Sequence, residues 1–456
     1  IMRWQECLTL SCLLGWIIIS ALTLPVYSSE GRSIPLIRDN NISVKTVFEG
    51  LNFPTSMAFL GPGDILVLEK NEGTVMRIVN GEMLPEPLLK VDVSTISERG
   101  MLGIAIEKNN NNIERPPYVF LYYTEPELGV KSRLGEDSNS EILAASNNIY
   151  RYELIDNKLV NPQHLLHLPA KVEVAHNGGK LLLGPDNNVY VSAGSVAGDT
   201  PRSEADNTWS QNVIDGPEAD GRGGILRFTQ DGKVVEDEHT LNDEYPMILY
   251  YAYGIRNSFG MDFDPLTGIL WDTENGATKY DEINLVEPGF NSGWRQTMGL
   301  GEEKKRLDPN KLVDFDGKGK YSDPEFAWEK TVGLTSLKFF NSDKYGNEYQ
   351  NGMFVADFHN GNIYHFQLNE ERTELELRGD LSDKIANDVD ELQAVIFGQG
   401  FGGITDLEVG PDGYLYVLSL HQGGDDCKLS DTSTDENCIS YNTAVQGVIF
   451  RIEPQQ

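Results

Sequence analysis

The sequence predicts an all-β fold, a six-bladed β-propeller built from four-stranded antiparallel sheets. Short β-rich runs separated by Gly, Asn and Asp turns fill the chain after residue 30, and no long helical period interrupts them. One pattern also recurs six times, in which an apolar strand is followed by a turn such as Gly-Pro-Asp-Gly and by two further strands. A chain of 456 residues is long enough for one large closed all-β domain. A β-sandwich, or two separate β domains, is the alternative.

The six repeats cover most of the chain. They lie at residues 56–78, 101–154, 179–228, 260–286, 337–368 and 406–452. Repetition around an axis leaves only short, protected sheet edges, so a large antiparallel protein of this kind avoids edge-to-edge aggregation. Functional groups of a propeller collect around its central channel, on loops from several blades. We therefore expect them where the repeat is interrupted, at residues 193–224, 275–281 and 379–403.

The N-terminus has the layout of a targeting segment. Arg3 precedes an apolar run at residues 8–24, and small residues follow up to Ser29. We predict a signal peptide over residues 1–29, with an uncleaved membrane anchor as the alternative. A linker over residues 30–43 and a single propeller domain over residues 44–456 complete the predicted organisation. The protein is thus expected to be exported, to the cell surface, the periplasm or the medium.

The charge of the chain limits its partners. It has 70 acidic and 37 basic residues, which give a formal net charge of −33. Such a body repels nucleic acid and anionic membrane surfaces, so we expect neither as a partner, apart from a membrane at the N-terminal anchor. Its many carboxylates are suitable ligands for calcium.

Four cysteines are present, and two of them, Cys7 and Cys12, lie in the targeting segment. The other two, Cys427 and Cys438, close a short polar loop. In an exported protein this pair is expected to form a local disulfide, with two free thiols as the alternative. No CxxC motif or Cys/His cluster indicates a zinc site.

Two long segments resemble one enzyme family. They are VAHNGGKLLLGPDNNVYVSAG (174–194) and YGIRNSFGMDFDPLTGILWDTENGATKYDEINLVEPGFNSGW (253–294), supported by PTSMAFL (54–60) and ERGMLGIAIEKN (98–109). They resemble the glucose/sorbosone dehydrogenase family, the soluble aldose dehydrogenases that use pyrroloquinoline quinone (PQQ), over about residues 44–453. The resemblance implies a PQQ- and calcium-dependent oxidation of an aldose sugar at C1 to its lactone. Electrons would then pass to an external acceptor.

His176 is the candidate catalytic base. Oxidation of a sugar hemiacetal needs a base for the C1 hydroxyl proton and a hydride acceptor, which no amino acid provides. Histidine is the usual base because its pKa lies near the working pH. His176 stands in Ala-His-Asn-Gly-Gly before a predicted strand, where glycines let the backbone approach a ligand. A turn histidine with a structural hydrogen bond is the alternative.

The resemblance also implies cofactor and metal contacts. Arg256 and Asn257 match a pair that contacts the quinone, and a salt bridge between blades is the alternative for Arg256. Gly276 and Ala277 match positions whose backbone carbonyls hold the cofactor's calcium. Glu282 matches a ligand of a second, structural calcium; hard oxygen donors suit this ion.

Several positions depart from the family pattern. The family's glutamine, lysine and second arginine correspond to Glu98, His359 and Thr405, which we retain as candidate cofactor contacts. Its first arginine corresponds to Gly403, and Ser195 replaces the aspartate that supports the catalytic histidine, although Asp199 lies nearby.

The loss of three cationic partners has a large expected effect. Each charge-assisted hydrogen bond contributes about 1.5–3 kcal/mol, so the cofactor's affinity would fall by roughly 10³- to 10⁶-fold. Arg99, Lys180 or Arg222 could substitute for them. The alternative function is a non-catalytic exported propeller that binds calcium and a glycan or protein after losing its cofactor contacts. A hydrolytic propeller such as a calcium lactonase is a third alternative, with no distinctive residue pattern behind it.

Overall fold

The computed structural model describes residues 34–107, 115–133, 141–170, 174–196, 207–237, 239–300, 307–308, 311–420 and 446–455. The predicted signal peptide or anchor and the predicted pair Cys427 and Cys438 lie outside these residues, as does Asp199. Within the described ranges, no helix has the length and apolar character needed to span a bilayer.

Strands dominate the described residues. The first two are β1 (Leu36–Ile37) and β2 (Ile42–Asn52). Sheet 1 consists of β3 (Pro54–Gly61), β4 (Asp64–Glu69), β5 (Thr74–Val79), β6 (Glu82–Met83) and β7 (Leu89–Lys90). Sheet 2 consists of β8 (Met101–Ile106), β9 (Tyr118–Arg133), β10 (Glu141–Ile155) and β11 (Lys158–Pro169). Sheet 3 begins with β12 (Leu181–Leu183), β13 (Val189–Ala193), β14 (Gly224–Phe228) and β15 (Tyr250–Tyr253).

The second half of the chain continues this order. Sheet 4 begins with β16 (Gly260–Phe263), β17 (Leu270–Glu274) and β18 (Lys279–Val286). The chain then returns to sheet 3 with β19 (Phe290–Asn291) and β20 (Lys320–Tyr321), and to sheet 4 with β21 (Phe326–Lys330). Sheet 5 contains β22 (Leu334–Phe339), β23 (Met353–Asp357) and β24 (Ile363–Phe366). The next strand, β25 (Ile385–Ala386), belongs to sheet 4, and the one after it, β26 (Ile396–Gln399), belongs to sheet 5. Sheet 6 consists of β27 (Ile404–Val409), β28 (Leu415–Ser419), β29 (Gln446–Pro454) and the N-terminal β2.

Helical structure is sparse. The α-helix α1 (Val389–Val395) begins at the cap Asp388, whose side chain accepts hydrogen bonds from two backbone N–H groups of the first turn. Short 3-10 helices lie at Trp209–Gln211, Met247–Leu249 and Gly379–Asp383.

The six sheets of the described residues form a ring. Contacts between innermost strands join sheet 1 to sheets 2 and 6, sheet 2 to sheet 3, and sheet 5 to sheets 4 and 6. An apolar cluster that includes Leu182 and Met261 joins sheet 3 to sheet 4. The predicted all-β propeller is confirmed. The prediction of four strands in every sheet is wrong, because short strands such as β19, β20 and β25 extend sheets 3 and 4 with parallel pairs.

Hydrogen bonds between the two ends of the chain close the ring. β2 pairs antiparallel with β29, from Ile42 opposite Pro454 to Asn52 opposite Gln446. The predicted linker over residues 30–43 is therefore wrong from Leu36 onwards, since β1 pairs with β26 and β2 begins at Ile42. The backbone donors of these residues are used in sheets, which ties the segment to the propeller.

The pleat of β17 and β18 separates core from polar side chains. Trp271 and Ile283 face the apolar cluster between sheets 4 and 5. Because side chains alternate along a strand, the opposite face carries Asp272, Glu274 and Glu282, and all three are almost fully buried. β17 and β18 thus have one face that packs in the apolar core and an opposite face that carries buried carboxylates.

Candidate functional site

A cavity of about 310 Å³ lies where all six sheets meet. Each sheet, or a loop leading into it, contributes to its wall; examples from sheets 1 to 6 in turn are Lys70, Leu102, Gly179, Asn275, Thr335 and Thr405. Only a position on the propeller axis allows one cavity to contact every sheet.

Eight of the nine residues selected from the sequence line this cavity. They are Glu98, His176, Arg256, Asn257, Gly276, Ala277, His359 and Thr405. The ninth, Glu282, does not line it and lies on the buried polar face of sheet 4. The roles assigned to these residues stay predictions, but their convergence means that a single ligand could contact most of them.

His176 lies in the loop before β12, with a left-handed backbone (φ 60°). Its Nδ1 atom is 3.1 Å from Ser195 Oγ, and the side chain is buried. A Cβ atom on Gly194 would lie 2.2 Å from the His176 carbonyl oxygen, so glycine is required there. Ser195, at the position where the family carries an aspartate, therefore supports His176. Its hydroxyl group is neutral and can donate or accept a hydrogen bond.

Arg256 and Asn257 are connected to the His176 loop. The Arg256 carbonyl accepts a hydrogen bond from Ser195 N–H at 2.8 Å, and the Arg256 guanidinium donates to the Asn275 carbonyl at 2.8 Å. The Asn257 side-chain oxygen accepts from Gly178 N–H at 3.1 Å. These contacts fix the guanidinium and the amide relative to the imidazole.

Glu98 holds the same loop from sheet 2. Its carboxylate accepts hydrogen bonds from Asn177 N–H at 3.2 Å and from the Asn257 side-chain amide at 3.3 Å. Burial raises the pKa of Glu98, and these two donors offset part of the effect. The carboxyl group thus links three neighbouring sheets, a positioning contact that the sequence did not reveal.

Asp281 fixes two loops at the cavity wall. Its carboxylate accepts from Gly276 N–H at 2.9 Å and from the N–H groups of Val332 and Gly333 at 2.7 Å. A Cβ atom on Gly276 would lie 2.0 Å from the Lys279 carbonyl oxygen, so only glycine allows this turn. The turn presents Gly276 and Ala277 to the cavity.

Among the described residues, no lysine or arginine of sheets 5 and 6 lines the cavity, and the carboxylate that does, Asp406 of sheet 6, is ion-paired with Lys180. Burial lowers the pKa of His359, more than the nearby Asp281 raises it, so the imidazole carries little charge at neutral pH. A Cβ atom on Gly403 would lie 2.9 Å from the Phe358 ring, which therefore covers the position of the family's first arginine. Thr405 lines the cavity with a short polar side chain.

Of the three cations proposed to substitute for the lost ones, Lys180 alone is among the described residues that line the cavity. Lys180 lines the cavity, but its Nζ forms a buried ion pair with Asp406 Oδ1 at 2.7 Å. Although burial disfavours the charge, the carboxylates of Asp406 and Glu408 raise the pKa of Lys180. Arg222 pairs with Asp220 at 2.8 Å, and Arg99 donates to the Ala170 carbonyl at 3.2 Å; neither lines the cavity.

Lys70 is a cavity residue that sequence reasoning missed. It follows β4 directly and is 2% exposed. The sequence carried only a weak signal, a lysine at the end of an apolar strand, in a segment that reads as a surface turn.

Glu282 belongs to a carboxylate cluster on sheet 4. Glu274 and Glu282 face each other across the antiparallel pair of β17 and β18, and Asp272 pairs with Asn284 next to them. Burial raises the pKa of Asp272 to about 7, and burial together with Glu282 and Asp272 raises that of Glu274. The described residues contain no set of three His, Cys, Asp or Glu side chains already converged on one point. A cation here would therefore also need backbone or water oxygens.

Comparison with known proteins is consistent across sequence and structure. Residues 51–428 match the model of the family "Glucose / Sorbosone dehydrogenase". An uncharacterised Synechocystis protein, slr1608, is 26% identical over 87% of this chain and 89% of its own length. The Escherichia coli aldose sugar dehydrogenase YliI is 23% identical over 85% of this chain and 93% of its own. The PQQ-bound structure of an aldose sugar dehydrogenase from Streptomyces coelicolor superposes with a TM-score of 0.57 and 22% identity, covering 92% of this chain and all of that one.

Proposed function

Since the chain belongs to the Glucose / Sorbosone dehydrogenase family, we propose that it oxidises an aldose sugar at C1 to the lactone, with PQQ as its cofactor. The observation that carries the proposal is the convergence of His176, Arg256 and Asn257 on one axial cavity. PQQ would supply the hydride acceptor that no side chain provides, and an external acceptor would receive the electrons.

The cavity wall fits a flat, anionic ring system. Apolar side chains such as Phe53, Phe259 and Leu334 can cover ring faces, and Gly178 and Gly179 allow close backbone approach. The cationic groups are fewer than the resemblance implies, but Arg256 and Lys70 remain in the wall. The donor set thus fits the cofactor, with its positive charge placed mainly on sheets 1 and 4.

The residues of this chain have distinct tasks in the proposed reaction. His176 would accept the proton of the C1 hydroxyl group at Nε2, while Ser195 holds the ring through Nδ1. Arg256 can donate to a carbonyl or carboxylate oxygen, and Asn257 keeps the His176 loop in place through Gly178.

Two broader features are part of the same proposal. We propose that each of the six sheets is one blade of the propeller, and that the protein is exported through its N-terminal segment. Export is supported by the arrangement of a basic residue, an apolar run and small residues at the N-terminus.

The first prediction is sugar-dependent reduction of an electron-accepting dye. Apoprotein reconstituted with PQQ and Ca²⁺ is expected to reduce the dye with at least one aldose in a panel of neutral sugars. The controls omit PQQ or the sugar. Absence of dye reduction, together with no PQQ binding at high micromolar concentration, would contradict the proposal. It would favour instead the non-catalytic propeller, which the neutral His359 and Gly403 wall motivates.

The second prediction concerns calcium. We propose that the backbone carbonyls of Gly276 and Ala277 hold the cofactor's calcium, and that Glu282 with Glu274 binds a structural one. Hard oxygen donors and buried carboxylates support this assignment. A ligand at 100 times its Kd stabilises the folded state by about 2.7 kcal/mol. Removal of calcium with EGTA should therefore lower Tm, and added Ca²⁺ should restore it.

Paired variants test this calcium assignment. Glu282→Gln should reduce the shift in Tm caused by Ca²⁺. Glu329→Gln, which changes a partly exposed carboxylate ion-paired with Lys279, should keep it. An unchanged Tm after addition of Ca²⁺ to EGTA-treated protein would rule out the structural site.

A further inference from the structure

Lys70 lines the axial cavity, and its ammonium group has only neutral hydrogen-bond partners among the described residues. Its Nζ atom donates to the Asn71 side-chain oxygen at 3.0 Å and to the Thr95 carbonyl at 3.5 Å. It also lies 5.1 Å from the centre of the Phe53 ring. Burial lowers the pKa of Lys70 to about 8, which reflects the loss of water around the charge.

Lys180, which also lines the cavity, and the partly buried Lys338 of sheet 5 are both ion-paired. Lys180 contacts Asp406 at 2.7 Å, and Lys338 contacts Glu408 at 2.8 Å. For Lys70, no carboxylate among the described residues lies within ion-pair distance. A buried charge is normally paired, because its desolvation is otherwise uncompensated.

Glu98 is not an ion-pair partner of Lys70. Its charge raises the pKa of Lys70 from a longer distance, and its carboxylate accepts hydrogen bonds from Asn177 and Asn257. Burial also raises the pKa of Glu98, which favours its neutral form. The positive charge of Lys70 therefore remains largely uncompensated at the wall.

The position of the lysine is fixed by its surroundings. The Lys70 N–H donates to the Phe53 carbonyl, and its carbonyl accepts from Met101 N–H, both at 3.0 Å. Gly100 has a φ of 148°, and a Cβ atom there would lie 2.5 Å from Lys70 Cγ. The aliphatic stem thus lies against a backbone that only glycine permits, and the ammonium is held in place before any ligand arrives.

The geometry points to Lys70 as a carboxylate-binding group of the axial cavity. Among the other cationic side chains of the described cavity wall, Lys180 is ion-paired, the His359 imidazole carries little charge, and Arg256 on the wall of sheet 4 donates to the Asn275 carbonyl. Since the whole body carries a net charge of −33, an anionic ligand needs such a local cation. The carboxylate can belong to PQQ or to an acidic sugar, and the inference rests on the proposed function only where the carboxylate is that of PQQ.

The experiment compares Lys70→Met, which keeps the apolar stem and removes the charge, with the wild type. PQQ binding to apoprotein is measured by fluorescence titration, and binding of galacturonate and galactose by calorimetry. These two sugars differ in whether C6 is a carboxylate. Lys70→Met should weaken binding of the carboxylate ligand by about 10- to 100-fold and leave galactose unaffected. Lys70→Arg should retain most of the affinity.

Lys90→Met is the matched control, since it removes the same charge from an exposed position of the same sheet. Lys90→Met should change neither the affinity for the carboxylate ligands nor the affinity for galactose. If Lys70→Met lowers Tm strongly, Lys70→Gln, which keeps a polar end group for Asn71 and Thr95, takes its place.

The outcomes separate this inference from the proposed function. Lys70-dependent binding of galacturonate without PQQ binding or dye reduction supports the inference and contradicts the dehydrogenase proposal. PQQ binding that does not depend on Lys70, together with dye reduction, supports the dehydrogenase proposal and contradicts the inference about Lys70. Binding of neither carboxylate ligand to the wild type overturns both.

Discussion

Replacement of His176 by alanine is expected to lower kcat for sugar oxidation by about 10²- to 10⁴-fold, the usual contribution of a positioned general base. His176 lines the axial cavity, and its ring is oriented by Ser195 at 3.1 Å. Without the imidazole, the C1 hydroxyl proton has no acceptor at this place. Because the imidazole is not one of the cationic groups proposed to hold the anionic cofactor, PQQ affinity should stay close to that of the wild type.

The measurement is a dye-reduction assay together with a PQQ titration on the same preparations. His164→Ala is the control, because His164 lies on the outer strand of sheet 2, away from the cavity. Its kcat should remain within a factor of about two of the wild-type value, since it contacts no reacting group. Full activity in His176→Ala would remove the catalytic role of this histidine.

The sequence contained enough information for the architecture, because each repeat encodes a hairpin in its own residues. Strand alternation and turn residues are local, so the strands and turns of each repeat could be located. His176 was predicted from its residue type and glycine-rich setting together with the family resemblance, and Arg256 from the resemblance; neither lies in the interrupted loops at residues 193–224, 275–281 and 379–403. The structure places both at the cavity.

What the sequence did not reveal depends on contacts between distant segments. β19 and β20 contain two residues each, too few for any pattern to predict their parallel pairing. Lys70 resembles a surface lysine in Glu-Lys-Asn-Glu-Gly, but its buried side chain packs against Gly100, which directly precedes the next sheet. Likewise, the pairing of Lys180 with Asp406 joins residues 226 positions apart, so Lys180 appeared available for an anionic ligand.

Replacement of Lys180 by methionine is expected to destabilise the fold by about 3–5 kcal/mol, the effect of breaking a buried ion pair and leaving one charge behind. The two side chains are 6% and 2% exposed, so solvent screens their attraction only weakly. Asp406 also accepts hydrogen bonds from Ser56 Oγ at 2.9 Å and Met57 N–H at 3.0 Å. The pair therefore joins sheets 1, 3 and 6 across the axis.

Chemical denaturation of Lys180→Met, Lys90→Met and the wild type measures the change in the free energy of unfolding. Lys90→Met is again the control, because its exposed ion pair with Glu72 at 3.3 Å should contribute no more than about 1 kcal/mol. A double variant, Lys180→Met with Asp406→Leu, should recover part of the loss, since neither member of the pair is then left as an uncompensated buried charge. If Lys180→Met costs no more than Lys90→Met, the axial ion pair does not hold the ring together. In that case packing between sheets and the pairing of β2 with β29 must close the ring without it.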